Sequence, residues 1–252
     1  MAAEKFAQAG VGGITVWRDA LEDRNIAKTG ELLRAHNLNI VSLCRGGFFP
    51  SVSANQRQGA LEDNKKAIDE AAALGAPMVV LVCGADPSQP LTISRSQIQQ
   101  GIEELIPYCE QNDVKLAIEP LHPMYADTRS AINTLGQAND MAESIGSSWV
   151  GIAVDVYHLW WDPTLKTEIE RCGKNANLYA FHICDWKSPT EDILLDRGLM
   201  GEGCINVPEI REWVEDAGFS GLNEVEIFSN HYWNMDQDNF LDAIVKAYQH
   251  KS

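Results

Sequence analysis

Four apolar, β-like runs in this chain stop on side chains that can ligate a metal or carry a proton. Glu119 follows Val114-Lys115-Leu116-Ala117-Ile118, Asp155 follows Val150-Gly151-Ile152-Ala153-Val154, His182 follows Leu178-Tyr179-Ala180-Phe181, and Glu226 lies in Val225-Glu226-Ile227-Phe228. A carboxylate at the end of a buried strand is costly to desolvate unless a cation or a hydrogen-bond network receives it. Four such positions in succession call for one shared partner, most simply a divalent metal. Three carboxylates and one imidazole form a mainly oxygen-donor site, which suits Mn²⁺ first and admits Mg²⁺, Co²⁺ or Zn²⁺. An ion held there can withdraw electron density from a carbonyl and an adjacent hydroxyl. Positioned acid–base groups add about 10²–10⁴-fold in rate.

The elements that must carry these residues are strands alternating with amphipathic helices. Residues 13–17, 39–44 and 78–83 read as three further strands, each short, β-branched and bounded by Gly, Pro or Asn. Ile98, Ile102, Leu105 and Ile106 mark one helix face, and Phe240, Leu241, Ile244, Val245 and Tyr248 another. Residues 53–74 read as a long helix stopped by Gly75. No low-complexity linker divides the chain, so residues 1–252 are expected to form one α/β domain. Strands buried on both faces and separated by helices predict a parallel sheet. Ligands at the ends of four consecutive strands favour a closed barrel, whose strand ends converge on one point, over an open sheet with a two-strand switch point.

Composition sets the remaining bounds. With 20 basic and 36 acidic residues the formal charge is −16, which removes the main source of affinity for nucleic acid. The six cysteines are scattered, with no C-x-x-C pair, as expected of small buried residues in a reducing cytoplasm. No run reaches the roughly 18 apolar residues of a membrane span.

The phrases Leu116-Ala117-Ile118-Glu119-Pro120, Val154-Asp155-Val156-Tyr157-His158, Phe181-His182-Ile183-Cys184-Asp185 and Val225-Glu226-Ile227-Phe228 resemble the metal-site motifs of the xylose isomerase-like TIM barrels. Within that group they are most similar to proteins described as sugar phosphate isomerases/epimerases. The resemblance runs from Gly13 to the last helix. It implies that Glu119, Asp155, His182 and Glu226 hold the metal, that Glu119 and Glu226 are also the acid–base pair, and that His158 and Arg197 face the substrate. Glu224 lies one pleat below Glu226 on the same face, and its role as a functional or a core carboxylate stays open. Asp185 is expected to orient an imidazole or a substrate hydroxyl, or else to serve as a cap or a loop salt bridge. Trp17 and Trp160 are expected to stack on a sugar face, with Arg45 and His122 beside them at the substrate.

The implied reaction is isomerisation or epimerisation of a ketose, keto-sugar or inosose by proton transfer through an enediolate. A lyase expelling a β-substituent from a 3-keto-glycoside would use the same metal site. Apurinic-site endonucleases share this barrel but need extra histidines at earlier strand ends, which here read Trp17-Arg18, Cys44-Arg45 and Cys83-Gly84. One departure from the family stands out. Residues 1–10 read as a helix, and the first clear strand matches the family's second, so seven strands are expected. The edges near Ile14 and Val225 should then lack partners, which invites a homo-oligomer or a partner subunit; a truncated or misassigned start is the simplest cause.

Overall fold

The computed structural model describes residues 2–252; Met1, the first residue of the expected N-terminal helix, lies outside them. Seven parallel strands form a nearly closed barrel. They are β1 (Gly13–Trp17), β2 (Asn39–Gly47), β3 (Met78–Val82), β4 (Lys115–Glu119), β5 (Val150–Asp155), β6 (Leu178–Ile183) and, after a short antiparallel hairpin of β7 (Asp185–Trp186) and β8 (Arg197–Gly198), β9 (Asn223–Val225). The barrel order is β1-β2-β3-β4-β5-β6-β9. The helices are α1 (Ala2–Gln8), α2 (Ile26–Ala35), α3 (Ala54–Leu74), α4 (Leu91–Asn112), α5 (Leu135–Ile145), α6 (Val156–Leu159), α7 (Leu165–Lys174), α8 (Val207–Asp216), α9 (Asn230–Trp233) and α10 (Gln237–Lys251).

Local chemistry explains the helix limits. The Ser53 hydroxyl accepts the Gln56 N–H at the start of α3, and Gly75 ends it at φ 84°, a left-handed conformation that an L side chain resists. The apolar stripe of α4 buries Ile98, Ile102 and Leu105 against the barrel. Side chains alternate across the sheet. Val79, Leu81, Leu116, Ile118, Ile152, Val154 and Phe181 belong to the core shared with the helices, while Cys44, Val80, Ala117, Ala153 and Ala180 form a separate cluster inside the barrel. Small residues dominate that inner layer, and the ladder pairs Asp155 with His182 and His182 with Glu224 directly above it.

The expected open seam is present. Among the described residues β1 pairs only with β2 and β9 only with β6. Side chains bridge the gap instead: the Thr15 hydroxyl donates to Glu224, and Trp17 meets Phe228 edge-on with ring centroids 5.2 Å apart. Outside the seam, α1 buries Ala3 in the core, and Lys5 pairs with Asp238 of α10. The last strand is displaced from its expected place. Its ladder covers Asn223–Val225, so Glu226 stands just past the strand end, anchored by its N–H to the Ile183 carbonyl at 3.1 Å.

Candidate active site

At the C-terminal mouth, one ligand atom from each of Glu119, Asp155, His182 and Glu226 lies within 4.8 Å of every other. The elements place them for simple reasons. Glu119 ends β4, and Asp155 ends β5 while capping α6 through the Tyr157 N–H at 2.8 Å. His182 is the penultimate residue of β6. Three of the four are nearly inaccessible, at 5% exposure for Glu119, 0% for Asp155 and 3% for His182, whereas the Glu226 side chain keeps 20%. Glu226 is thus the member turned towards the opening.

Two basic groups answer this acidity. His182 Nδ1 lies 2.9 Å from Glu119 Oε1. Burial alone would lower the His182 pKa, but Glu224, Glu119 and Glu226 outweigh it and hold the imidazole well above its ordinary range. Arg197 is buried, and one of its terminal nitrogens lies 2.9 Å from Asp155 Oδ2 and 2.8 Å from Glu226 Oε2. Its other terminal nitrogen is 3.3 Å from His158 Nε2. Burial pushes His158 down to about 3, against the pull of Asp155, so this histidine is neutral at physiological pH.

A divalent cation fits this donor set. The carboxylates of Glu119, Asp155, Glu224 and Glu226 exceed the cationic groups facing them, Arg197 and His182. Glu119, Asp155, His182 and Glu226 would hold the ion.

The other expected residues divide. Arg197 and His158 stand at the cluster, but Arg197 reaches the candidate ligands themselves. The Trp17 ring packs on Phe228 at the seam. Arg45 is half-buried at the end of β2 with its guanidinium 4.5 Å above the Phe48 ring. His122 stacks on Trp186 at 5.2 Å, and its Nδ1 accepts the Met124 N–H. Trp160 meets Trp186 with ring centroids 5.8 Å apart and lines a groove of about 310 Å³ with Asp162, Ile205 and Trp213, none of them metal-cluster residues.

Asp185 is a different case. Its carboxylate accepts the N–H groups of Trp186, Gly201, Gly203 and Ile205 at 2.8–2.9 Å, so both oxygens are committed to the loop and neither orients an imidazole. Gly203 is required there, because a Cβ would sit 2.0 Å from the Trp186 carbonyl. The carboxylates that face the His182 ring are Glu119, at Nδ1, and Glu224, at Nε2.

Several site residues were not singled out by sequence. Tyr157 stacks on Trp186 at 4.8 Å and under the Arg197 guanidinium at 4.3 Å. The hydroxyls of Tyr157 and Tyr125 both donate to the Ile193 carbonyl, pinning the loop beside the mouth. The only signal for Tyr157 was its place beside Asp155. Thr15 and Ser42, hydrogen-bonded at 2.8 Å, gave none.

The family model described as the xylose isomerase-like TIM barrel matches residues 3–245. An inosose isomerase of Halalkalibacterium halodurans is 23% identical over 236 residues, covering 88% of this chain and 78% of its own. Protein SMc04130 of Sinorhizobium meliloti superposes with a TM-score of 0.95 at 44% identity over 99% of this chain and 92% of its own. The IolI protein with a bound zinc atom superposes with a TM-score of 0.84 at 20% identity, covering 97% of this chain and 89% of its own. With its fold and nearly its whole length matched, the chain belongs to the xylose isomerase-like TIM barrel family.

Proposed function

We propose that this protein is a divalent-metal-dependent isomerase or epimerase of a ketose, keto-sugar or inosose. The observation that carries this reading is the convergence of Glu119, Asp155, His182 and Glu226 at the barrel mouth. The inosose isomerase name of a relative supports the substrate class, and the zinc of the IolI neighbour supports a divalent ion. Mn²⁺ remains our first choice, since oxygen donors predominate.

When bound, the ion supplies a Lewis acid that acidifies the C–H beside a substrate carbonyl. The protein's own groups do the rest. Glu119 and Glu226 approach from the two ends of the β4-to-β9 arc, so one carboxylate can take the proton from carbon and the other can return one. Neutral His158 offers a hydrogen bond to a substrate hydroxyl, and Arg197 holds Asp155 and Glu226 in place. Tyr157, Trp186 and His122 give an aromatic wall that shields the reacting carbons from water. Trp17 and Arg45 extend the substrate surface on the β1–β2 side. The unpaired cysteines agree with a cytoplasmic setting.

Incubation with ketoses, inososes and 3-keto-glycosides in deuterated water tests this reading. Solvent deuterium should enter one carbon of an accepted substrate with no change in its skeleton. A split glycoside would make the enzyme a lyase. Absence of exchange across the panel would overturn the proposal.

A further inference from the structure

Glu224 sits in the barrel interior, one pleat below Glu226 and level with His182 in the ladder. Its two oxygens are treated differently. Oε2 receives the Thr15 hydroxyl, and Thr15 in turn meets Ser42 Oγ at 2.8 Å. Oε1 is buried with no hydrogen-bond partner and lies 3.6 Å from His182 Nε2, which is also buried with none. Two unsatisfied polar atoms thus face one another just beyond hydrogen-bond length. The other ring nitrogen, Nδ1, is the one beside Glu119 Oε1.

A ring nitrogen that ligates a cation must present a lone pair, so the imidazole proton has to sit on the opposite nitrogen. Metal-bound histidines almost always give that second N–H to a carboxylate, carbonyl or water. We infer that Glu224 is a positioning residue: it accepts the Nε2–H of His182, which fixes Nδ1 as the metal ligand, and through Thr15 and Ser42 it ties that ligand to β1 and β2 across the open seam. This inference rests on the metal centre proposed above. The side-chain chain Ser42–Thr15–Glu224–His182–Glu119 does at this seam what a ladder does elsewhere in the barrel, so barrel closure and ligand orientation share one set of contacts. Asp185, three residues from His182, cannot take this role because its oxygens already receive backbone N–H groups.

The test uses zinc, which is diamagnetic, and protein labelled with ¹⁵N-histidine. In zinc-loaded wild type, long-range ¹H–¹⁵N spectra should show His182 protonated at Nε2 and metallated at Nδ1. The reverse assignment overturns the inference without any variant. Glu224→Leu should weaken zinc binding by about 10–100-fold and speed exchange of the Nε2 proton, while Glu224→Gln, which keeps an acceptor oxygen, should recover most of that loss. Thr15→Val should fall between Glu224→Gln and wild type. Circular dichroism checks that each variant is folded. Folded Glu224→Leu that binds zinc within twofold of wild type overturns the positioning role alone. Wild type that binds no zinc overturns the metal centre and this inference with it.

Discussion

Asp185 is a buried carboxylate and Glu224 a largely buried one, and their surroundings differ in kind. Asp185 is fully enclosed and receives four backbone N–H groups from its own loop. Glu224 and its neighbours Glu119, Asp155 and Glu226 have one arginine, one imidazole and one threonine hydroxyl reaching in from elsewhere in the chain, and one backbone N–H, that of Tyr157, on Asp155. In the loop, desolvation is offset by fixed backbone dipoles, so nothing more is needed. At the mouth it is offset only in part, and the remaining negative charge is what the proposed cation would answer. Number of buried acids does not distinguish a structural site from a functional one; the completeness of their partners does.

Changing one member of each region sharpens the contrast. The largest expected effect is at the mouth: Glu226→Gln should lower kcat by about 10²–10⁴-fold or more with the fold retained, measured by steady-state kinetics and circular dichroism. Arg197→Ala comes next. It leaves Asp155 and Glu226 without their buried cation, so the metal-free protein should lose about 3–5 kcal/mol of stability. Added divalent metal should restore more stability to this variant than to wild type, as read by thermal shift. An equal metal-induced shift in both would show that Arg197 and the ion do not answer the same charge. Asp185→Asn should cost about 1–3 kcal/mol through weakened loop hydrogen bonds. Its kcat should stay near wild type once folded, and a large fall in kcat at full metal content would erase the distinction drawn between the two regions.

The smallest effect is a pH dependence. With its pKa held above the ordinary value by the surrounding carboxylates, metal-free His182 keeps its proton after folding. It therefore contributes stability that is fully present below about pH 6.5 and lost as pH rises through the raised value. Metal must displace that proton, so zinc affinity should increase with pH across this window. Calorimetry in buffers of different ionisation enthalpy should detect the released proton, and pH-independent binding with no release would contradict the assignment.

Much of this contrast was legible in the residues. Strands β1 and β5 have the limits that their apolar runs suggest, and the four candidate ligands converge because each lies at or near the C-terminal end of a strand of one barrel. Sequence placed the last strand over 225–228, whereas its ladder lies at Asn223–Val225. Glu224 reads as a carboxylate one pleat below Glu226, functional or core, and its contacts to Thr15 and His182, far away in the chain, are what the sequence does not show. Arg197 is legible as an arginine in a glycine-rich loop. Its insertion between Asp155 and Glu226 depends on how the 195–197 segment pairs with the 228–230 segment, where Arg197 N–H meets the Phe228 carbonyl at 2.9 Å and Asn230 N–H meets the Leu195 carbonyl at 3.0 Å. Asp185 misleads for the converse reason: its short spacing from His182 suggests a partner, while the backbone of residues 201–205 takes the carboxylate first.

The measurement that bears most directly on the metal centre is elemental analysis of the purified protein coupled to activity before and after chelation. The account predicts about one divalent ion per chain, as for a single catalytic metal site. Activity should disappear with EDTA and return when the ion is restored. Full activity in EDTA with no metal detected would contradict it.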